Sequence, residues 1–375
     1  MSDRFGTDEG AMRRALDLAA RGRGFVEPNP MVGAVLLDGG RRLIGEGFHE
    51  RYGQPHAEAN ALRGVDAHGA TLFVTLEPCA HHGKQPPCAD AVVAAGVRRV
   101  VCAMGDPFAA VAGKGFAKLR DAGIDVDVGL LEADARELNG PFLKRVGTGR
   151  PYVIAKWAMT LDGKTATQTG HSKWISGEDS RCAVHELRGR VDAVIAGERT
   201  VAADDAELTA RPPGPRTPTR VVIASRVRPM SETGRLMTSL SEGPVLYAHG
   251  RLADADRLAR LRDLGVETLL CDDGSADGLP AVGPLLDELG RRGVTNVLVE
   301  GGAAVHGLFR DAGEVDEYRV YVSPKVIGAG IPAVSGPVGG LDEIPQAPNV
   351  GPLRVRQTGA DLEITTPVPK PWRNA

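Results

Sequence analysis

The stretch Thr71-Leu72-Phe73-Val74-Thr75-Leu76-Glu77-Pro78-Cys79-Ala80-His81-His82-Gly83-Lys84-Gln85-Pro86-Pro87-Cys88 decides how the first half of the chain is read. Its opening run, Thr71 to Leu76, reads as a strand that delivers Glu77-Pro78-Cys79, and a helix is expected after Cys88. Upstream, Pro55-His56-Ala57-Glu58 marks another helix start, because proline suits a first helical turn. Further out, Ala11, Met12, Ala15, Leu18 and Ala19 recur at helical spacing, with Arg21-Gly22 as the stop. Met31 to Leu37 reads as a strand, Asp38-Gly39-Gly40 as its turn into Arg42 to Gly47, and Arg98 to Met104 as a buried strand. This βαβα rhythm predicts an α/β domain.

The residue types in the quoted stretch carry a chemistry. One imidazole (His56) and two thiolates (Cys79, Cys88) fill three tetrahedral positions around Zn2+ and leave the fourth for water, as a catalytic zinc site requires. Glu58, two residues beyond the imidazole ligand, is placed to take the water proton and return it to substrate and leaving ammonia. A His-x-Glu with a later Pro-Cys and Cys is the pattern of zinc deaminases. Here the second Cys follows the first by nine residues rather than three. A closed structural site would need a fourth ligand from His49, His81 or His82, and would leave Glu58 and the two prolines unexplained. Cys102, Cys182 and Cys271 sit in apolar strand-like or helical contexts and are expected to be packed small hydrophobes.

At 375 residues the chain has the length of two domains. The boundary is expected at residue 148, where Gly147-Thr148-Gly149 precedes Pro151 and a new strand, giving domains 1–148 and 149–375. Asp192 to Ala196, Arg220 to Ala224, Pro244 to Tyr247, Val266 to Leu270 and Thr295 to Val299 continue the strand pattern after Tyr152 to Ala158. Leu252 to Leu264 and Ala281 to Arg292 are helical between them, so a second α/β domain follows. Arg211 to Thr219 is a Pro-rich surface loop. The 18 basic and 19 acidic residues through Thr148 leave 27 and 29 for the rest, so neither half is a basic nucleic-acid binder. Aromatic residues at 4% disfavour a base-stacking platform. No apolar run reaches the ~18 residues of a membrane span, and Met1 to Arg23 has neither an export core nor the acid-poor character of a transit peptide. Five cysteines without an export signal point to a reducing cytoplasm.

The motifs resemble one family closely. Asn29-Pro30-Met31-Val32-Gly33-Ala34, Gly47-Phe48-His49, Pro55-His56-Ala57-Glu58 and the stretch from Val74 to Cys88 are similar to the bifunctional riboflavin-biosynthesis deaminase–reductases. The likeness runs from about residue 8 to 370. It implies a cytidine-deaminase-like three-layer zinc domain followed by a dihydrofolate-reductase-like α/β domain. The implied substrate is a small phosphorylated pyrimidine, deaminated at its exocyclic 2-amino group, with Asn29 on the pyrimidine edge and His49, His81 and Lys84 toward the ribose phosphate. Where the family reads Asp-Pro-Asn-Pro, this chain has Asp106-Pro107-Phe108-Ala109.

In the second half no Gly-x-Gly-x-x-Gly follows a strand. Its substitute is Val297-Leu298-Val299-Glu300-Gly301-Gly302, a strand ending in two glycines and a helix whose first N–H groups could hold a pyrophosphate. The same resemblance implies NADPH and reduction of a ribosyl group to ribityl. By it Ala158, Trp174, Thr200, Asp204, Ser225 and the turn Gly302, Ala303, Ala304, Val305, His306, Gly307, Leu308 contact NADPH. Lys156, Ser172, Leu208 and Glu300 contact substrate, with Arg188 and Arg211 as a fork for its phosphate. The family's Pro after Asp204-Asp205 is Ala206 here. A homo-oligomer is also expected. A nucleobase or tRNA-adenosine deaminase fused to a folate-type reductase predicts a short Cys-x-x-Cys and, for tRNA, a basic surface. A binding-only relative predicts loss of Glu58 or a ligand. None of these features is present.

Overall fold

The computed structural model describes residues 4–108, 112–227, 231–275, 278–335, 341 and 343–374. It divides into two compact units, Met1–Thr148 with Trp372–Ala375, and Gly149–Pro371. The sequence reading carried the second domain to residue 375, whereas the last residues group with the first unit. The physical reason is Trp372, whose side chain packs on that unit's apolar core.

In the first unit Thr7 caps the helix Asp8–Ala20 by accepting the Gly10 N–H at 3.1 Å, and the five residues at helical spacing are all buried. The helix lies on a five-stranded sheet of β1 (Gly33–Leu37), β2 (Leu43–Phe48), β3 (Thr71–Val74), β4 (Arg99–Cys102) and β5 (Asp125–Val128), ordered β2-β1-β3-β4-β5. β1 is antiparallel to both neighbours, and β3, β4 and β5 are parallel. Gly33 permits the close helix–sheet approach: a Cβ there would stand 1.9 Å from the Ala15 carbonyl oxygen. The segment after β3 carries Glu77 to Cys79. Short helices at Ala57–Ala61 and Cys88–Ala94 begin directly after His56 and at Cys88.

The second unit holds β6 (Tyr152–Thr160), β7 (Lys164–Thr167), β8 (Ala193–Gly197), β9 (Thr219–Ala224), β10 (Val245–His249), β11 (Glu267–Leu270), β12 (Asn296–Val299), β13 (Glu317–Ser323), β14 (Gly330–Pro332), β15 (Arg354–Thr358) and β16 (Asp361–Pro367). Nine of them form one sheet, β11-β10-β9-β8-β12-β6-β13-β16-β15. From β11 to β13 the neighbours are parallel, and the hairpin β15–β16 adds an antiparallel edge. β8, β9, β10 and β12 are buried on both faces, as the near-continuous apolar runs in their sequences require. Helices Ala255–Asp263 and Val282–Arg291 fall inside the expected segments, and residues 211–218 form a mostly exposed loop.

Candidate functional site

Two sites emerge, one in each unit. In the first, two helix starts and the exit of β3 bring His56, Cys79 and Cys88 together, with their ligand atoms all within 4.8 Å of one another. His56 Nδ1 lies 3.7 Å from Cys79 Sγ and 3.3 Å from Cys88 Sγ. A tetrahedral ion with bonds of about 2.0–2.3 Å separates its ligand atoms by roughly 3.3–3.8 Å, so this donor set fits Zn2+. Hydrogen bonding from Cys88 and His56 pulls the Cys79 thiol down to about 4, against its burial, while the same pairing and burial push the Cys88 thiol up, so the two sulfurs share one proton until a metal displaces it. Glu58 is 3% exposed, and burial pushes its carboxyl up to about 7 against the opposing pull of His56. A carboxyl poised there can exchange a proton near neutral pH.

The closed-site alternative gains no fourth ligand among the described residues. His81 and His82 are exposed, and His49 stands edge-on to His56 with its Nδ1 3.3 Å from the Pro55 carbonyl oxygen. His49 is 2% exposed, and burial, then the neighbouring His56, pushes its imidazole down to about 4. His49, expected toward the ribose phosphate, thus lies beside a metal ligand with its Nε2 buried and without a hydrogen-bond partner among the described residues. Lys84 and His81 are exposed on the spacer between the cysteines, with Lys84 Nζ 4.0 Å from the Tyr52 ring centroid, and Asn29 is half-buried. Glu77, which has no role in the sequence motif, is a structural anchor. Its buried carboxylate accepts N–H bonds from Asp106, Gly113, Gly115 and Phe116 at 2.9–3.3 Å and pins that loop beside Cys79. A lone Glu before Pro-Cys was the available signal. Ala109 lies outside the described residues.

In the second unit a cavity of about 770 Å3 opens at the carboxyl ends of β6, β8 and β12. Glu300, at the end of β12, has a side chain 7% exposed and pairs with two cations. Arg188 clasps it through Nε at 2.5 Å and Nη2 at 2.9 Å, and Lys156 Nζ reaches it at 3.1 Å. Burial alone would raise the Glu300 carboxyl, but Arg188 and Lys156 outweigh it and hold the group well below the ordinary carboxylate range. Arg211 pairs with Glu207 at 2.7 Å, and Arg235 pairs with the same carboxylate. Arg188 and Arg211, the expected phosphate fork, thus each face a carboxylate that a second cation shares.

Lys156, Ala158, Ser172, Trp174, Arg188, Thr200, Asp204, Leu208, Arg211, Glu300, Gly302, Ala303 and His306 all line this cavity. Ser225, Ala304, Val305, Gly307 and Leu308 are not part of its wall, and Val305 is core. The Gly302 N–H, expected to be open to a pyrophosphate, is donated to Thr200 Oγ1 at 2.8 Å. Gly301 is required by packing: a Cβ there would stand 2.6 Å from the Gly197 nitrogen. Buried His306 has an unpartnered Nδ1, and burial, then Lys156, pushes its imidazole down to about 3. Cys102 and Cys271 are buried as expected, whereas Cys182 is exposed and lines the cavity, since its position on the helix Glu178–Arg188 faces away from the core.

Comparison with known proteins agrees with this division. Residues 6–104 match the cytidine and deoxycytidylate deaminase zinc-binding region, and residues 151–363 match the RibD C-terminal domain. The class is therefore a zinc deaminase joined to a reductase. The riboflavin biosynthesis protein RibD of Escherichia coli K12 is 40% identical over 370 residues, covering 95% of this chain and 98% of the relative. That of Aquifex aeolicus is 39% identical over 361 residues, covering 95% and 97%. The solved structure of Acinetobacter baumannii RibD superposes with a TM-score of 0.81 at 38% identity, covering 97% of this chain and 99% of that one. A Thermotoga maritima protein described as a diaminohydroxyphosphoribosylaminopyrimidine deaminase/5-amino-6-(5-phosphoribosylamino)uracil reductase gives 0.80 at 35% identity, covering 96% and 98%. The chain belongs to the RibD family, and it is a bifunctional deaminase and reductase of riboflavin biosynthesis that uses Zn2+ and NADPH.

Proposed function

We propose that residues 1–148 deaminate 2,5-diamino-6-ribosylamino-4(3H)-pyrimidinone 5′-phosphate and that the unit beginning at residue 149 then reduces its ribosyl group to ribityl. The observation that carries this reading is the buried Glu58 beside the His56, Cys79 and Cys88 donor set. Zn2+ held by those three residues makes water nucleophilic near neutral pH, and NADPH supplies a hydride. In the first step a C–O bond forms at pyrimidine C2, the exocyclic C–N bond breaks and ammonia leaves. The Glu58 carboxylate takes the proton from water and returns it to the departing amine. Asn29 holds the pyrimidine edge, with His49, His81 and Lys84 toward the phosphate.

In the second unit the residues bind and align. Glu300, ionised and clasped by Lys156 and Arg188, accepts hydrogen bonds from sugar hydroxyls in a cavity of size suited to a nucleotide and a substrate. Ser172, Leu208 and Arg211 border the substrate, while Ala158, Trp174, Thr200, Asp204 and the helix start from Gly302 border the cofactor, with Ser225 beyond the strand end. The ring-opened sugar imine gains hydride at C1′ and a proton at nitrogen. A reducing cytoplasm fits five free cysteines. Exposed Leu353, Val355 and Leu362 offer apolar area for a homo-oligomer.

The decisive assay supplies the diaminopyrimidine phosphate with and without NADPH. Ammonia release that does not need NADPH, followed by substrate-dependent NADPH oxidation, is the expected result. Absence of NADPH consumption after deamination would remove the second half of the reading.

A further inference from the structure

Seven cationic side chains line the cavity of the second unit. Six are committed. Lys156 and Arg188 hold Glu300, and Arg211 and Arg235 hold Glu207. Arg181 donates to the Ser176 carbonyl oxygen at 2.6 Å and covers the Trp174 ring at 4.6 Å, while Lys173 Nζ donates to the Asp204 carbonyl oxygen at 3.3 Å. The seventh, Arg199, is exposed and has no hydrogen-bond or ion-pair partner among the described residues.

Its place in the fold gives that free charge a meaning. Arg199 directly precedes Thr200, whose hydroxyl holds the Gly302 N–H, so it stands on the wall where the dinucleotide is read to lie. β8 and β9 are parallel neighbours with Gly197 opposite Ile223. The chain leaves one as Glu198-Arg199 and the other, after Ala224, as Ser225-Arg226. Arg226 is likewise exposed and without a partner among the described residues. Two uncommitted guanidinium groups and a serine hydroxyl therefore leave adjacent strands at their carboxyl ends, the edge where open α/β sheets take ligands. The adjacent carboxylate, Glu198, is buried and so is not offered to a ribose hydroxyl.

We infer that Arg199, seconded by Arg226 and Ser225, binds the 2′-phosphate of NADPH and is what selects this cofactor over NADH. NADPH and NADH differ only by that phosphate, a dianionic group that a planar guanidinium engages with two parallel N–H bonds. The inference rests on the reductase reading above. It differs from the expected use of Arg188 and Arg211, each of which is held by a carboxylate that it shares with a second cation.

The test is calorimetric titration of the zinc-loaded full chain with NADP+, NAD+ and adenosine 2′,5′-bisphosphate, for the unaltered protein, Arg199→Ala, Arg199→Gln and Arg226→Ala. Arg199→Ala is expected to weaken NADP+ and the bisphosphate about tenfold or more and to leave NAD+ within about twofold. Arg226→Ala is expected to show the same selectivity with a smaller loss. NAD+ binding reports that each variant is folded, and Arg199→Gln keeps the test open if the alanine variant is not. Equal losses for both dinucleotides, or an unchanged ratio, would overturn the assignment of Arg199 while leaving the reductase reading intact. Failure of the unaltered chain to bind either dinucleotide would overturn both.

Discussion

The zinc site and the reductase cavity make opposite use of charge. In the first unit, three donors and one carboxyl come from two short motifs whose surroundings tune their protonation: burial moves Glu58 up toward neutrality, and hydrogen bonds from Cys88 and His56 move Cys79 down. In the second, cations and carboxylates converge from segments between Lys156 and Glu300, and each of the two carboxylates Glu300 and Glu207 is shared by two cations, so these clusters keep a net positive charge. A metal site built for one proton transfer needs few residues in fixed chemistry. A cavity that must take in a dinucleotide and a sugar phosphate needs many, each oriented by another. Loss of a single group should therefore act locally in the first unit and collectively in the second.

The largest effect is expected from Glu58→Gln. Deamination should fall by roughly 10^2–10^4-fold, with zinc content by atomic absorption unchanged and reduction of supplied deaminated substrate intact. Full ammonia release from this variant would break the contrast at its root. Next comes Glu300→Ala, which strands Arg188 and Lys156 without their carboxylate. A loss of about 3–5 kcal/mol in urea unfolding of the second unit is expected, together with loss of NADPH oxidation, while zinc content holds. A cost below about 1 kcal/mol would show that the pairs act independently. Gly301→Ala forces a methyl against the Gly197 nitrogen and is expected to cost about 1–3 kcal/mol in the same measurement.

The gentlest lever is pH. His306 is held at about 3 in the fold, against 6.5 when unfolded, because burial and then Lys156 disfavour its cation. Between those values the unfolded chain binds the extra proton, so stability of the second unit declines as pH falls from about 6.5. Glu300, held low by its cations, adds a further loss only below its ordinary 4.5. His306→Gln should flatten the slope between about pH 4.5 and 6.5 in denaturation midpoints. An unaltered slope would mean that another group carries it.

Legibility follows the same contrast. His56, Glu58, Cys79 and Cys88 could be read because metal chemistry tolerates few residue types and the motifs sit at helix starts and a strand exit. The buried strands of both units were legible as apolar runs, whereas β15 was not, since Arg354-Val355-Arg356-Gln357-Thr358 is an exposed edge without a periodic face. Glu77 escaped because its partners are backbone N–H groups some 30 to 40 residues later, which no side-chain pattern records. Arg188 and Arg211 were legible as cations, but a sequence does not say which cation has already been answered. That requires knowing that Glu300 and Glu207 arrive beside them.

Trp372 adds a consequence for handling the protein. Because the residues from Trp372 onward group with the first unit, the chain crosses between units twice, after Thr148 and after Pro371. The deaminase unit is thus discontinuous in sequence, with the reductase unit threaded through it as an insert. Expression of residues 1–148 alone would strip away the indole that covers part of its core, and a tag fused after residue 375 would be a modification of the deaminase rather than of the reductase.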